Sequence, residues 1–167
     1  MTTLIPYQAG YADQTLSRIC KFFGYHLSLF SADVDAQKIE AENKDTLDDW
    51  VKEPNRLFVI MEDEMDVGFL RLRFRGDIAA WIEDIYVDEE LRGRGIASRS
   101  INEAERIVRE VPGYEAVCID VVPRNADALR LYHKLGYLDL SIITLRKELY
   151  APKRDQPVNL LGMEFRI

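Results

Sequence analysis

A mixed α/β domain, with a mainly antiparallel sheet and flanking helices, is the fold class that the sequence predicts. Three observations point to it. Residues 56–63, 67–75 and 79–87 are strand-like runs joined by short turns, the pattern of an antiparallel meander. A helical pattern over 96–111 then separates the third run from another apolar run at 115–122, and strands joined through a helix pair in parallel. At 167 residues the chain has the length of one domain, able to bury roughly 70% of its unfolded surface.

The elements follow in order. TLIPY (3–7) reads as a short strand, with Pro6 suiting an edge. Tyr11, Leu16, Ile19, Phe22, Phe23, Leu27 and Phe30 give residues 10–30 a helical spacing, broken near Gly24. The acidic stretch 33–52 predicts one or two helices ending before Pro54. RLFVIMED (56–63) is a strand and EDEMD (62–66) its turn. VGFLRLRFR (67–75) alternates, with Leu70, Leu72 and Phe74 on one face and Arg71, Arg73 and Arg75 on the other. AAWIEDIYV (79–87) is the third strand. Ile96, Ala97, Ile101, Ala104, Val108 and Val111 line one side of a helix that Pro112 and Gly113 stop. EAVCIDVV (115–122) is a buried strand. NADALRLYHKLG (125–136) is a short helix with Asn125 as its N-cap and Gly136 as its left-handed stop. YLDLSIITLRKEL (137–149) predicts a closing strand. The domain therefore spans 1–149, and 150–167 form an extension, either an extra strand or a docking arm.

Composition narrows the function classes. A formal net charge of -7 and a pI near 4.9 argue against a general nucleic-acid binder, which needs positive surface, and mildly favour cationic partners. Cys20 and Cys118 stand far apart in apolar patterns with no metal or disulfide spacing, as expected of reduced thiols in a cytoplasmic protein. Neither a signal peptide nor an apolar run of about 18 residues is visible, so neither export nor membrane spanning is expected. With His26 and His133 the only histidines, neither a metal site nor a Ser-His triad has the residues that it needs.

The stretch LRGRGIAS (91–98) carries more chemistry. It lies between a strand and a helix, where unpaired amides and the positive end of the helix dipole favour an anion. Gly93 and Gly95 allow close backbone approach, and Arg92 and Arg94 add charged donors. The stretch is a phosphate or diphosphate cradle, or a tight turn with incidental arginines. The Walker A pattern is absent, and a dinucleotide fingerprint would put a third glycine where Ser98 stands.

Arg92-x-x-Gly95-x-Ala97 resembles the [QR]-x-x-G-x-[GA] signature of the GNAT superfamily of acyl-CoA N-acyltransferases. IEDIYVDEE, just before it, is similar to that family's fourth strand and acidic turn. NADALRLYHKLGY, about thirty residues on, resembles its second motif. The resemblance covers 56–149 and implies the acyl-CoA N-acyltransferase fold, with acetyl-CoA as co-substrate. It implies that the diphosphate sits on Arg92, Gly93, Arg94, Gly95, Ile96 and Ala97, with Ser98 adding its hydroxyl. The pantetheine arm would pair with Ile85, Tyr86 and Val87 by strand addition. Asn125 matches the cofactor-contacting asparagine of the second motif, a role compatible with capping. Arg99, Arg124, Arg130 and Lys134 offer charge for a 3′-phosphate. Dimers are common in the family, so a homodimer is among the expectations.

Acetyl transfer needs a neutral amine, a polarised carbonyl and a stabilised thiolate. Glu83 is the leading general base, its place similar to that of the base proposed for spermidine/spermine acetyltransferases. Asp84, on the opposite face by strand alternation, is the runner-up base or an acceptor-binding group. A main-chain N–H at or beside Val87 would polarise the carbonyl. Tyr132, matched to the second-motif tyrosine, serves the leaving thiolate. For the acceptor, KFFGYH (21–26), Phe30, Asp33, Asp35, Glu40 and Glu42 suit a small cationic amine or a protein or peptide amine. Two alternatives stay open: a catalytically silent CoA-binding sensor, and a transferase for another acyl-CoA.

Overall fold

The computed structural model describes residues 1–30, 39, 43, 45–76, 78–150 and 154–167. It divides into two compact units, Met1–Asp120 and Val121–Ile167. The first holds β1 (Thr2–Pro6), α1 (Ala12–Ser28), α2 (Thr46–Trp50), β2 (Asn55–Glu62), β3 (Met65–Phe74), β4 (Ala79–Val87), α3 (Ile96–Arg109) and β5 (Ala116–Ile119). The sheet order is β1-β2-β3-β4-β5. The first three pairings are antiparallel, and β4 pairs with β5 in parallel across α3, as the helix between them requires.

Apolar alternation along β3 builds two core layers. Leu70 and Leu72 are fully buried on one face, in register with Phe58 on β2 and with Ile85 and Ile82 on β4. Helix α3 lies against β1 and β4 with Ile96, Ile101, Ala104 and Val108 buried, a stripe at helical spacing. On the other face, Phe69 and Tyr86 join Ile19, Phe22, Leu47, Trp50 and Leu57. Phe69 is the hub, with ring centroids 5.5 Å from Trp50, 5.9 Å from Phe22 and 6.0 Å from Tyr86. Such rings bury large area and favour offset or edge-on contact.

Two expectations are corrected. Helix α1 runs unbroken through Gly24. A mid-helix glycine costs about 1 kcal/mol, and burial of Thr15, Arg18, Ile19 and Phe22 along one stripe outweighs that. Residues 137–148 form no strand, although their alternation predicts one. Leu138, Leu140, Ile142 and Leu145 are exposed there. Alternation supplies a strand's side-chain pattern, whereas the strand itself exists only as a ladder against a neighbour.

The second unit holds α4 (Ala126–Lys134), β6 (Pro157–Leu160) and β7 (Met163–Arg166). Asn125 Oδ1 accepts the Ala128 N–H at 3.2 Å, so the predicted cap is present. Gly136, at φ +95°, ends the helix, and the Tyr137 N–H returns to the Tyr132 carbonyl at 3.1 Å. Strands β6 and β7 form a separate two-stranded sheet. The Arg124 guanidinium donates to the Ile167 carbonyl at 2.8 Å and to Asp155 at 3.1 Å, pinning the last residue of the chain.

Candidate active site

Strand β4 changes character at its middle. Ala79 to Ile82 pair with Ala116 to Ile119 of β5, and the pairing stops at Ile82–Ile119. From Glu83 on, β4 pairs only with β3 among the described residues. The Asp88 N–H donates to the Val67 carbonyl at 2.9 Å. Donors alternate sides along an antiparallel ladder, so the main-chain groups of Tyr86 face β3 and those of Ile85 and Val87 face the open side. Arg92 Nε occupies the Val87 carbonyl there at 3.1 Å. Gly68 matters to this geometry: a Cβ on it would lie 2.1 Å from the Tyr86 carbonyl oxygen, which no side chain can accept.

A β-bulge marks the change. Arg71 pairs with Asp84 and Leu72 with Ile82, leaving Glu83 as the extra residue of β4. This overturns the expectation that Asp84 faces away from Glu83. The bulge cancels one step of alternation, and both carboxylates face Arg71. Arg71 Nε donates to Asp84 Oδ2 at 2.6 Å, Nη1 donates to Asn55 Oδ1 at 3.0 Å, and the guanidinium lies 4.4 Å from the Trp50 ring centroid. Glu83 Oε2 is 4.0 Å from Arg71 Nη2, and Glu83 Oε1 is 3.3 Å from Arg75 Nη2. That second contact is an ion pair by distance but lacks hydrogen-bond geometry, since Oε1 is buried with no hydrogen-bond partner. Burial pushes the Asp84 carboxyl above its ordinary range; the Arg71 charge and bond oppose this, and the Glu83 charge adds to it.

The glycine turn follows directly. A 3₁₀ turn at Glu89–Leu91 leads from Asp88 to Arg92. Gly93 and Gly95 both have positive φ, +77° and +76°, so an L side chain at either would be strained. Gly95 is the N-cap of α3 and offers no side chain to its first amides. No heavy atom lies within 4 Å of where a Gly93 Cβ would stand. Ala97 and Ser98 are half-buried in the first turn of α3, and Ile96 is buried beneath it. Arg92 lies 5.4 Å from both the Tyr25 and Tyr86 ring centroids.

A clamp unseen in the sequence fixes the end of β4. Arg18 of α1 is buried and donates from Nη2 to Asp88 Oδ2 at 2.8 Å, from Nη1 to Asp66 Oδ2 at 2.9 Å and from Nη2 to the Asp66 carbonyl at 2.7 Å. It joins a helix, the start of β3 and the last residue before the turn. These partners lie 48 and 70 positions away in the chain, beyond the reach of any local pattern.

The remaining expected site residues are placed as follows. Asn125 and Tyr132 stand on the second unit, Asn125 at the cap of α4 and Tyr132 with its ring centroid 6.1 Å from that of Tyr137. Arg99 is engaged by Thr2 Oγ1 at 2.6 Å, Glu62 at 3.1 Å and the Arg94 carbonyl at 3.0 Å. Arg124 is engaged as described, and Arg130 pairs with Asp127 at 2.5 Å. Of the expected acceptor residues, Phe22 is core, Phe30 is exposed, and Asp33, Asp35, Glu40 and Glu42 lie outside the described residues. Among the described residues no cluster fit to hold a metal ion is present, and no helix is long and apolar enough to cross a membrane.

Comparisons with known proteins agree with this architecture. The Acetyltransferase (GNAT) family model matches residues 25–137, more than half of the chain. No curated protein sequence matches. Among solved structures, YycN of Bacillus subtilis, described as an acetyltransferase, is 22% identical with a TM-score of 0.69, over 90% of this chain and 100% of that one. The PaiA N-acetyltransferase from Thermoplasma acidophilum, solved with coenzyme A, is 15% identical with a TM-score of 0.68, over 81% and 89%. The aminoglycoside N-acetyltransferase AAC(6')-Iy, solved with CoA, is 14% identical with a TM-score of 0.63, over 90% and 96%. These likenesses speak for the fold. An acyltransferase-like sheet, a glycine turn leading into α3 and a family match across both give one conclusion: the chain belongs to the GNAT acetyltransferase family.

Proposed function

We propose that the chain moves an acetyl group from acetyl-CoA to a primary amine by direct attack, with no acyl-enzyme, using residues 1–149 as the catalytic domain. One observation carries this reading: the half of β4 beyond its ladder to β5, paired on one side only among the described residues, runs straight into a turn whose glycines both have positive φ. The open main-chain groups of Ile85 and the N–H side of Val87, beside Tyr86, are suited to the pantetheine arm, while Arg92 holds the Val87 carbonyl. Arg92 through Ser98 are suited to the diphosphate, and Asn125 completes the cofactor contacts.

The chemistry assigns each group a task. Neutralising a lysine-like amine at pH 7 costs about 4–5 kcal/mol. Glu83 takes that proton, directly or through a water. The amine nitrogen bonds to the thioester carbon while its oxygen, now anionic, takes the Val87 N–H. The C–S bond then breaks, and Tyr132 hydrogen-bonds or protonates the departing thiolate. The products are an amide and free coenzyme A.

One observation favours the alternative of a silent coenzyme-binding sensor: Glu83 is already engaged by Arg75. Two measurements separate the readings. Calorimetry should show coenzyme A binding, and thiol release from acetyl-CoA should appear with at least one member of an amine panel. Binding without turnover would establish the sensor. Neither binding nor turnover would overturn both. An unchanged rate in Tyr132→Phe would remove that residue's role, and faster turnover with another acyl-CoA would move the donor assignment.

A further inference from the structure

The surroundings of Glu83 speak to what the acceptor carries besides its amine; the argument rests on the proposed acetyl transfer with Glu83 as base. Arg71 and Arg73 of β3, and Arg75 just past its end, follow the alternation that puts them on the face of Glu83. Arg71 is fixed by Asp84, Asn55 and the Trp50 ring. Arg73 Nε is buried and has no hydrogen-bond partner. Arg75 lies 4.2 Å from the Trp81 ring centroid, 3.3 Å from Glu83 and 3.9 Å from Asp120, and its side chain is 40% exposed. Opposite them stand Glu83, Asp84 and Asp120, of which Asp120 is at the rim with its side chain 77% exposed. Every inner carboxylate therefore has an arginine already.

A plain cation entering this face competes with an arginine for whichever inner carboxylate it meets. Its ammonium would displace Arg75 from Glu83, leaving that guanidinium with only the Trp81 ring and the longer contact to Asp120. An acceptor with its own carboxylate avoids the loss. Its ammonium meets Glu83, and its carboxylate takes the guanidinium that Glu83 releases. One internal ion pair is exchanged for two external ones, each charge-assisted. Arg75 is the member able to swing, being the exposed one and stacked on a ring.

We infer that the acceptor is a zwitterionic amine of the α-amino acid class, its amine at Glu83 and its carboxylate on Arg75. The acceptor is thereby narrowed from cationic amines in general to amines that bring an anion.

The test is thiol release from acetyl-CoA with L-amino acids set against their own α-carboxamides, leucine against leucinamide for example, with spermidine and kanamycin as cations lacking a carboxylate. The carboxamide's amine is less basic and more readily neutral, so chemistry alone favours it. At least one amino acid should exceed its amide in kcat/KM by about tenfold or more, the discrimination of one hydrogen bond to a charged group. Arg75→Gln should bring that ratio close to one, and Arg75→Lys should keep part of it. Equal or better use of the amides, spermidine or kanamycin overturns the inference. So does a ratio unmoved by Arg75→Gln, or acetylation of no member of any pair. Coenzyme A calorimetry on the same samples separates the two levels: without binding the transferase reading itself fails, whereas binding with spermidine acetylated leaves that reading standing and removes only this one.

Discussion

From Ala80 to Ile82, strand β4 is held on both sides; from Asp84 to Val87, among the described residues, it is held on one. The inner half is framework. Ala80 and Ile82 are essentially inaccessible, and their ladders to β3 and β5 fix the middle of the sheet. The outer half keeps its pairing to β3 but presents main-chain groups to a gap, and the bulge at Glu83 lies at the junction. One strand thus combines a support held on both sides with an edge left open, and the extra residue puts two neighbouring carboxylates on the same face.

The contrast can be broken most severely in the framework. Ile82→Ala should cost about 3 kcal/mol in denaturant unfolding, the usual price of an emptied core site, and Ile85→Ala, half-buried, should cost less than half as much. Equal losses would erase the distinction between the halves. Glu83→Gln inverts the pattern: thiol release should fall about a hundredfold, while the unfolding free energy falls by less than in Ile82→Ala, because Arg75 keeps the Trp81 ring and Asp120. Gly93→Ala should lower stability by roughly 1–2 kcal/mol through its positive φ, and calorimetry should show coenzyme A bound about tenfold more weakly. The smallest effect is one of pH and belongs to the aromatic layer. Burial against Phe22, at 4.2 Å between ring centroids, lowers the His26 pKa below 6.5. The unfolded chain then binds the proton more readily, so this contribution is present above pH 6.5 and is lost as pH falls toward the depressed value. The slope of unfolding free energy against pH below 6.5 should flatten in His26→Gln.

Much of this was legible in the sequence, for stated reasons. The meander, the parallel crossover, the glycine turn and the Asn125 cap all rest on local patterns, and local patterns survive folding. The bulge at Glu83 did not show, because strict alternation assumes a regular ladder and the sequence carries no mark for one added residue. The Arg18 clamp was hidden by its long separations. Arg71, Arg73 and Arg75 were visible as a polar face, but the pairing of Arg71 and Arg75 with Asp84 and Glu83 depends on the bulge. The strand expected over 137–149 has the right side chains and lacks a ladder in its unit, a reminder that strand propensity is a claim about neighbours as much as about residues.

The open edge at Ile85 and Val87 also bears on the protein's life in solution. Unpaired strand edges recruit other chains, and proteins blunt them with charge and short length. Here the exposed ladder is brief, ends in a turn, and has an arginine seated on its last carbonyl. A bound thioester carrier would act as a temporary sixth strand, lending thermal resistance by mass action and withdrawing the most adhesive stretch of backbone from its neighbours.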